Sequence, residues 1–415
     1  LETALQDRPG TRASILSAIA EVFQDLDMHD KALPLSQEVL SLHQSIHGET
    51  SRQARDSMGW LARLHGVRGE YGLAGPLHIR RLELAQAADP MDPAEVSDAH
   101  IRMGRQSLST GRVAHAEHHF QAAVELATTE DLPRQYVDAL RSLADAQRLL
   151  GRLEVSEINA RTAAESTETV RGELSAAAGL AHGTLANSLT ALGRYEEAEV
   201  HFRKAVELLS GTLGPEHGNT LTRMSSLADM YTESGDLASA EELAKRTVAI
   251  GDKVLGEDHP SVGRYLLPLA KALERQGRLD QAQVELERAA DIFRQTLEPD
   301  NYQRALPLLG LARIHLEQGH PSLAESTGRE ALEILQSAFP EGSNLTATAE
   351  CRVGRSLLLQ GDTGEAATHL ERSLESFRAT SLDPAVRDEC LAAASEARRL
   401  RGDSRAGGQE DPSSG

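Results

Sequence analysis

Residues 193–260 read GRYEEAEVHFRKAVELLSGTLGPEHGNTLTRMSSLADMYTESGDLASAEELAKRTVAIGDKVLGEDHP. GRYEEA at Gly193 returns as GDLASA at Gly235, and LGPEH at Leu213 returns as LGEDH at Leu255, each 42 residues later. A period of about 20 to 50 residues marks an array of stacked units, none of which buries its apolar face alone. Working outward, turn starts fall at Asp27, Gly69, Gly111, Gly151, Gly193, Gly235, Gly277, Gly319 and Gly361, with a weaker tenth at Gly402. Five residues after each of the first nine stands a small residue: Ala32, Ala74, Ala116, Ser156, Ala198, Ala240, Ala282, Ala324 and Ala366.

Before each turn the apolar residues recur at i, i+3, i+4 and i+7, as in Met224, Leu227, Ala228 and Tyr231, which makes one face of a helix. After the turn Ala198, Phe202 and Ala205 repeat that logic. Each unit is therefore a helical hairpin. Its glycine supplies the positive φ that stops the first helix, and its small residue lets the second cross closely. At the joints, Asp92-Pro93-Ala94-Glu95 predicts a capping box, and Asp258-His259-Pro260 and Asp383-Pro384 predict similar starts. Residues 1–11 read as the end of an earlier helix or linker closed by Pro9-Gly10. Residues 12–401 form nine repeats plus a degenerate tenth, and 402–415 form a disordered tail. The fold class is all-α, a right-handed solenoid of hairpins.

Gly235 with Leu227, Ala228, Tyr231 and Ala240, and Gly193 with Leu185, Ala186, Ala198 and Phe202, carry the offsets of the tetratricopeptide repeat, which the chain resembles over residues 12–401. The 42-residue period and the LGPEH or LGEDHP joint resemble the long variant of kinesin light chains and many bacterial proteins. That family tends to carry Asn-Asn before the Leu-Ala of its first helix. Here the pairs are Ser225-Ser226, Leu267-Pro268, Leu309-Gly310 and Cys351-Arg352, so its mode of cargo recognition does not carry over in detail. The opening units, with Ala18-Ile19-Ala20-Glu21-Val22-Phe23, resemble the repeat region behind the kinase domain of bacterial serine/threonine kinases. That resemblance implies a signalling context, and the start at Leu1 without methionine fits a cut through a longer chain. An alternative context is the repeat tail of a nucleotide-switch regulatory ATPase. No glycine-rich phosphate loop, HRD or DFG motif lies in the sequence itself.

A net charge of −20 and a pI near 5.3 argue against nucleic acid or an anionic membrane as partner. Aromatic residues make up 3% of the chain, which suits a core of Leu and Ala. Cys351 and Cys390 are too few for a disulfide framework and imply a reducing, cytoplasmic setting, with Cys351 a packing residue. His115, His118 and His119 lack a carboxylate or cysteine partner at metal-binding distance, and Trp60 reads as packing. No cofactor, metal or catalytic residue is expected.

The position six residues before each turn should face the groove lined by the first helices. It reads Glu21, Arg63, Arg105, Asp145, Asn187, Asp229, Lys271, Arg313 and Arg355. Two readings stand. Either shared ancestry copied a solvated cation, neutralised by neighbours such as Asp56, Asp98 and Glu317, or a basic column awaits an acidic or phosphorylated peptide. Leu267, Leu309, Leu316 and Leu358 lie beside it, either as a docking surface or as residues buried by curvature. The expected function is a protein–protein scaffold that binds a peptide on repeats seven to nine, with no membrane contact.

Overall fold

The computed structural model describes residues 8–25, 28–110, 112–339, 343–379 and 384–402. Among them the chain is a succession of α-helices with no strand. The first helices and their partners are α1 (Pro9–Asp25) with α2 (His29–His47), α3 (Arg52–Val67) with α4 (Tyr71–Gln86), and α5 (Pro93–Ser109) with α6 (Val113–Thr129). There follow α7 (Pro133–Leu149) with α8 (Leu153–Arg171), α9 (Ala176–Ala191) with α10 (Tyr195–Thr212), α11 (Gly218–Ser234) with α12 (Leu237–Leu255), and α13 (Pro260–Arg275) with α14 (Leu279–Thr296). These lie in one compact unit, residues 1–301. A second unit, 302–415, holds a 3-10 turn (Tyr302–Arg304), α15 (Ala305–Glu317), α16 (Pro321–Ala338), α17 (Asn344–Gln360), α18 (Thr363–Ala379) and α19 (Pro384–Leu400).

The hairpin chemistry is what the sequence requires. At Gly193, with φ 71°, the N–H of Arg194 donates back to Leu189 O at 2.9 Å, which closes the helix end across the glycine. The same bond to the fifth residue back recurs from Glu70, Arg152, Arg278, His320 and Asp362. All nine small residues after the turns have no exposed surface. Ser156, the one polar member, stays buried because its hydroxyl donates to Ala144 O at 2.8 Å and meets Ser188 Oγ at 2.8 Å. Gly104 allows the closest crossing: a Cβ there would lie 2.4 Å from the Phe120 ring, which is fully buried between α5 and α6. A methyl group would have to displace that ring.

Two joints differ from expectation. Asp92 caps α5 through Ala94 N and Glu95 N, but Glu95 does not reach back; it is held by Arg55 instead. At α13 the cap is His259, whose Nδ1 accepts from Ser261 N, one residue later than Asp258, because Pro260 occupies the first helical position. Pro9 and Gly10 open α1, and residues 1–7, where the end of an earlier helix or linker is expected, lie outside the described residues. The turns at Asp27 and Gly111, the Asp383 cap and the tail from 403 lie outside the described residues.

In the first unit the odd-numbered helices touch one another in series from α3 to α13, whereas no even-numbered helix touches another. The odd helices therefore line the inner face. In the second unit α15, α17 and α19 do the same.

Candidate functional site

The inner face of the first unit positions the site. Arg102 and Arg105 stand on α5, Arg141 and Arg148 on α7, and Arg223 on α11. Between the last two helices, α9 presents almost no side chain at this level. A Cβ on Gly183 would lie 2.5 Å from Arg223 Cδ, so the glycine is what lets Arg223 cross α9. There it comes under the influence of Asp145, Arg141 and Arg148.

These five guanidinium groups are poorly answered. Among the described residues none of them makes an ion pair, and the buried Nε atoms of Arg148 and Arg223 have no hydrogen-bond partner. Arg105 donates only to Ser142 Oγ, at 3.4 Å. Of the nearby carboxylates, Asp138 is taken by Arg171 at 2.6 Å and Asp145 accepts from Thr184 Oγ1 at 3.4 Å. Asp98 carries a raised pKa, chiefly from burial. Burial within the groove, and then the like charge of Arg141, push Arg105 down to about 10. Its side chain is exposed along the groove yet walled by protein, so it is crowded and still accessible. Arg102 is lowered by burial and by Arg63, and Arg223 chiefly by burial. Arg102, Arg105 and Arg223 remain cationic at neutral pH. Clustered, under-hydrated guanidinium groups bind carboxylates and phosphates through paired N–H···O bonds.

Only Arg105 of this cluster belongs to the basic column read from the sequence. The other members of that column have partners. Lys271 Nζ donates to Asp229 at 2.7 Å and lies 2.6 Å from Glu233; burial opposes its charge, but the two carboxylates outweigh it and raise its pKa. Arg355 pairs with Glu389 of α19. Arg63 donates to Gln24 and lies over the Trp60 ring, 4.4 Å from its centroid. Arg313 is half-buried on α15. The carboxylates that answer Lys271 and Arg355 are thus Asp229, Glu233 and Glu389. The leucines divide: Leu309 and Leu316 are 6% and 8% exposed and packed inside, which removes them as a docking surface, while Leu267 and Leu358 are half-buried.

Trp60 is not simply packing. It is 36% exposed and lines a cavity of about 220 Å³ with Glu21, Gln24, His43 and Asp56. A second slot, of about 410 Å³, opens on the outer side between α10 and α12, floored by Met224, Leu227 and Tyr231. His119 meets His100, Nδ1 to Nδ1 at 3.1 Å, and His201 meets His182 in the same way at 3.0 Å. His119 and His201 are each pushed down to about 4, by burial first and then by the neighbouring imidazole. Among the described residues no cluster of three metal-ligating side chains occurs. The reading of the cysteines needs correction: Cys351 and Cys390 are disulfide-bonded, with Cα atoms 5.7 Å apart. Packing of consecutive inner helices brings together residues that sequence spacing keeps 39 apart.

Residues 177–253 and 262–337 match the tetratricopeptide repeat family, and residues 354–372 match it again. These segments are tetratricopeptide repeats. Repeats of this type bind proteins or peptides and are typically non-catalytic. Similar solved structures include repeats of a putative kinesin light chain from Podospora anserina, 25% identical over 47% of this chain and 92% of that one, with a TM-score of 0.40. BtubC from P. vanneervenii is 18% identical over 56% of this chain and 92% of its own, at 0.43. A Rap protein complexed with competence and sporulation factor is 14% identical over 81% and 100%, at 0.46. With TM-scores this low, none of them bears on function. No curated protein matches the sequence. No helix among the described residues is long and apolar enough to cross a membrane.

Proposed function

We propose that this repeat array is a non-catalytic scaffold that holds an acidic or phosphorylated protein segment on the inner face of its first unit. The observation that carries the reading is the group of five arginines on α5, α7 and α11 without an ion-pair partner, in a chain of net charge −20. Like charges gathered in a crowded groove repel one another, and an anionic segment relieves that repulsion as it binds. The context remains the one implied by the opening units: the arm of a bacterial serine/threonine kinase that works in the cytoplasm.

Binding of acidic peptides, with and without phosphoserine, tests this by titration calorimetry. An Arg141→Glu/Arg223→Glu variant that keeps its helical circular dichroism is expected to lose about 100-fold in affinity. A Lys271→Met variant should bind within about twofold of the original chain, because that lysine is already answered. Raising the salt concentration should weaken binding to the original chain. If loss follows an Arg313→Glu/Arg355→Glu variant instead, the seat lies in the second unit. If no acidic peptide binds, the scaffold reading of this face is wrong.

A further inference from the structure

The last helix of the second unit is held in an unusual way. α19 occupies the place of the first helix of a tenth repeat. Inner helices such as α17 bury residues along much of their length, including Ala347, Glu350, Val353 and Leu357. On α19 the fully packed residues form one narrow stripe: Cys390, Ala393, Ala394 and Ala397. Its other faces are exposed, with Leu391 at 45% and Leu400 at 54%. The stripe offers three methyl groups and one sulfur to α17 and α18, with half-buried Val386 packed beside it, and those helices meet it with Ala347, Cys351, Ala367 and Leu370. Its polar ties include the Arg355–Glu389 pair, an exposed Arg398–Glu371 contact at 3.4 Å and a buried contact of Cys390 Sγ with Ser373 Oγ at 3.5 Å. A seat this shallow holds a helix weakly. One covalent bond crosses it, Cys351–Cys390, whose Cα separation of 5.7 Å lies inside the usual range for a disulfide.

We propose that this bond is a redox latch: oxidised, it fixes α19 on α17 and α18, and reduced by a dithiol, it lets that helix leave. In the reaction one thiolate of the dithiol attacks a cysteine sulfur and breaks the S–S bond. The dithiol's second sulfur then displaces the first from the mixed disulfide. Both cysteines end as thiols with two protons taken up, and the dithiol ends as its own disulfide. Departure of α19 frees Arg355 from Glu389 and uncovers the alanine and leucine face of α17 and α18. Both sulfurs are buried, at 1% and 0% exposure, so attack waits on opening of α19. The reduction rate should therefore level off as dithiol concentration rises. The latch is independent of what the inner face of the first unit binds.

Hydrogen exchange of the full chain, read by mass spectrometry after treatment with oxidised glutathione and then with dithiothreitol, tests this. Reduction is expected to lower the protection of residues 386–400 by about tenfold or more while α15 and α16 stay protected. A Cys390→Ser variant should show the reduced pattern whether or not dithiothreitol is present. Two free thiols persisting after the oxidising treatment would overturn the proposal. So would unchanged exchange in α19, or equal loosening of every helix in the unit, which would make the bond a general staple. Because the original chain supplies both states, the test holds even if the variant fails to fold.

Discussion

Two lysine- or arginine-bearing stretches of the inner face meet opposite fates. On α13, Lys271 faces Asp229 and Glu233, and Asp229 stands at the same repeat position one period earlier. On α5, Arg105 has Arg63 at that earlier position, and the next inner helix offers Arg141 and Arg148 beside Asp145. Repeat position determines where a side chain points. The residue one period away determines whether its charge is answered. A basic column counted along one strip of sequence therefore includes Lys271, whose charge is answered, and leaves out Arg141 and Arg223, which make no ion pair among the described residues.

The contrast between answered and unanswered cations can be broken most severely at Arg55. It is buried, and its Nε and Nη2 donate to the two oxygens of Glu95 at 2.6 and 2.7 Å. Glu95→Ala would leave a guanidinium buried without its partner, and chemical denaturation should show a loss of about 3–5 kcal/mol. A smaller effect comes from creating unanswered cations by acid. His119 and His201 have folded values near 4 against an ordinary 6.5, so they fold as neutral rings. Their contribution is complete above about pH 6.5 and is lost as pH falls toward 4, by about 1 kcal/mol each after solvent screening. A His119→Gln/His201→Gln variant should flatten that part of the stability–pH curve.

The smallest change sharpens the comparison most. Gly183→Ala adds one methyl group where Arg223 crosses α9, and the atoms it meets are the far end of a flexible chain. Fold stability should stay level or rise by about 0.5–1 kcal/mol, since alanine suits a helix better than glycine. Affinity for an acidic peptide should nonetheless fall about three- to tenfold as Arg223 is turned away from α7. Unchanged affinity would remove Arg223 from the site.

The hairpins were legible because they rest on local chemistry. A glycine at positive φ, a small residue five positions on and an apolar face at helical spacing mean the same thing wherever they occur. Caps were legible to within a residue: Asp258 lost to His259 only because Pro260 fixes the first turn. The site was less legible because it is made between repeats. Arg102, Arg141, Arg148 and Arg223 occupy four different positions within their units, so no single register displays them together. The feature that joins them is the absence of a side chain at Gly183. The cysteine pair escaped for the same reason, since Cys351 and Cys390 meet only when α17 and α19 pack side by side.

The inner helices touch in series while the outer ones stand apart, leaving openings such as the slot between α10 and α12. In the first unit each outer helix is tied to the next repeat only through that repeat's inner helix, as α10 is to α11, and such a stack is mechanically a hinge strip. Its outer helices can spread or close by rolling on the inner helix that follows, which each of them touches, while the inner edge acts as the neutral line. A ligand that bridges α5, α7 and α11 lies on that line and so clamps the strip's curvature. A load on the outer helices would then be felt as a change in grip on the inside.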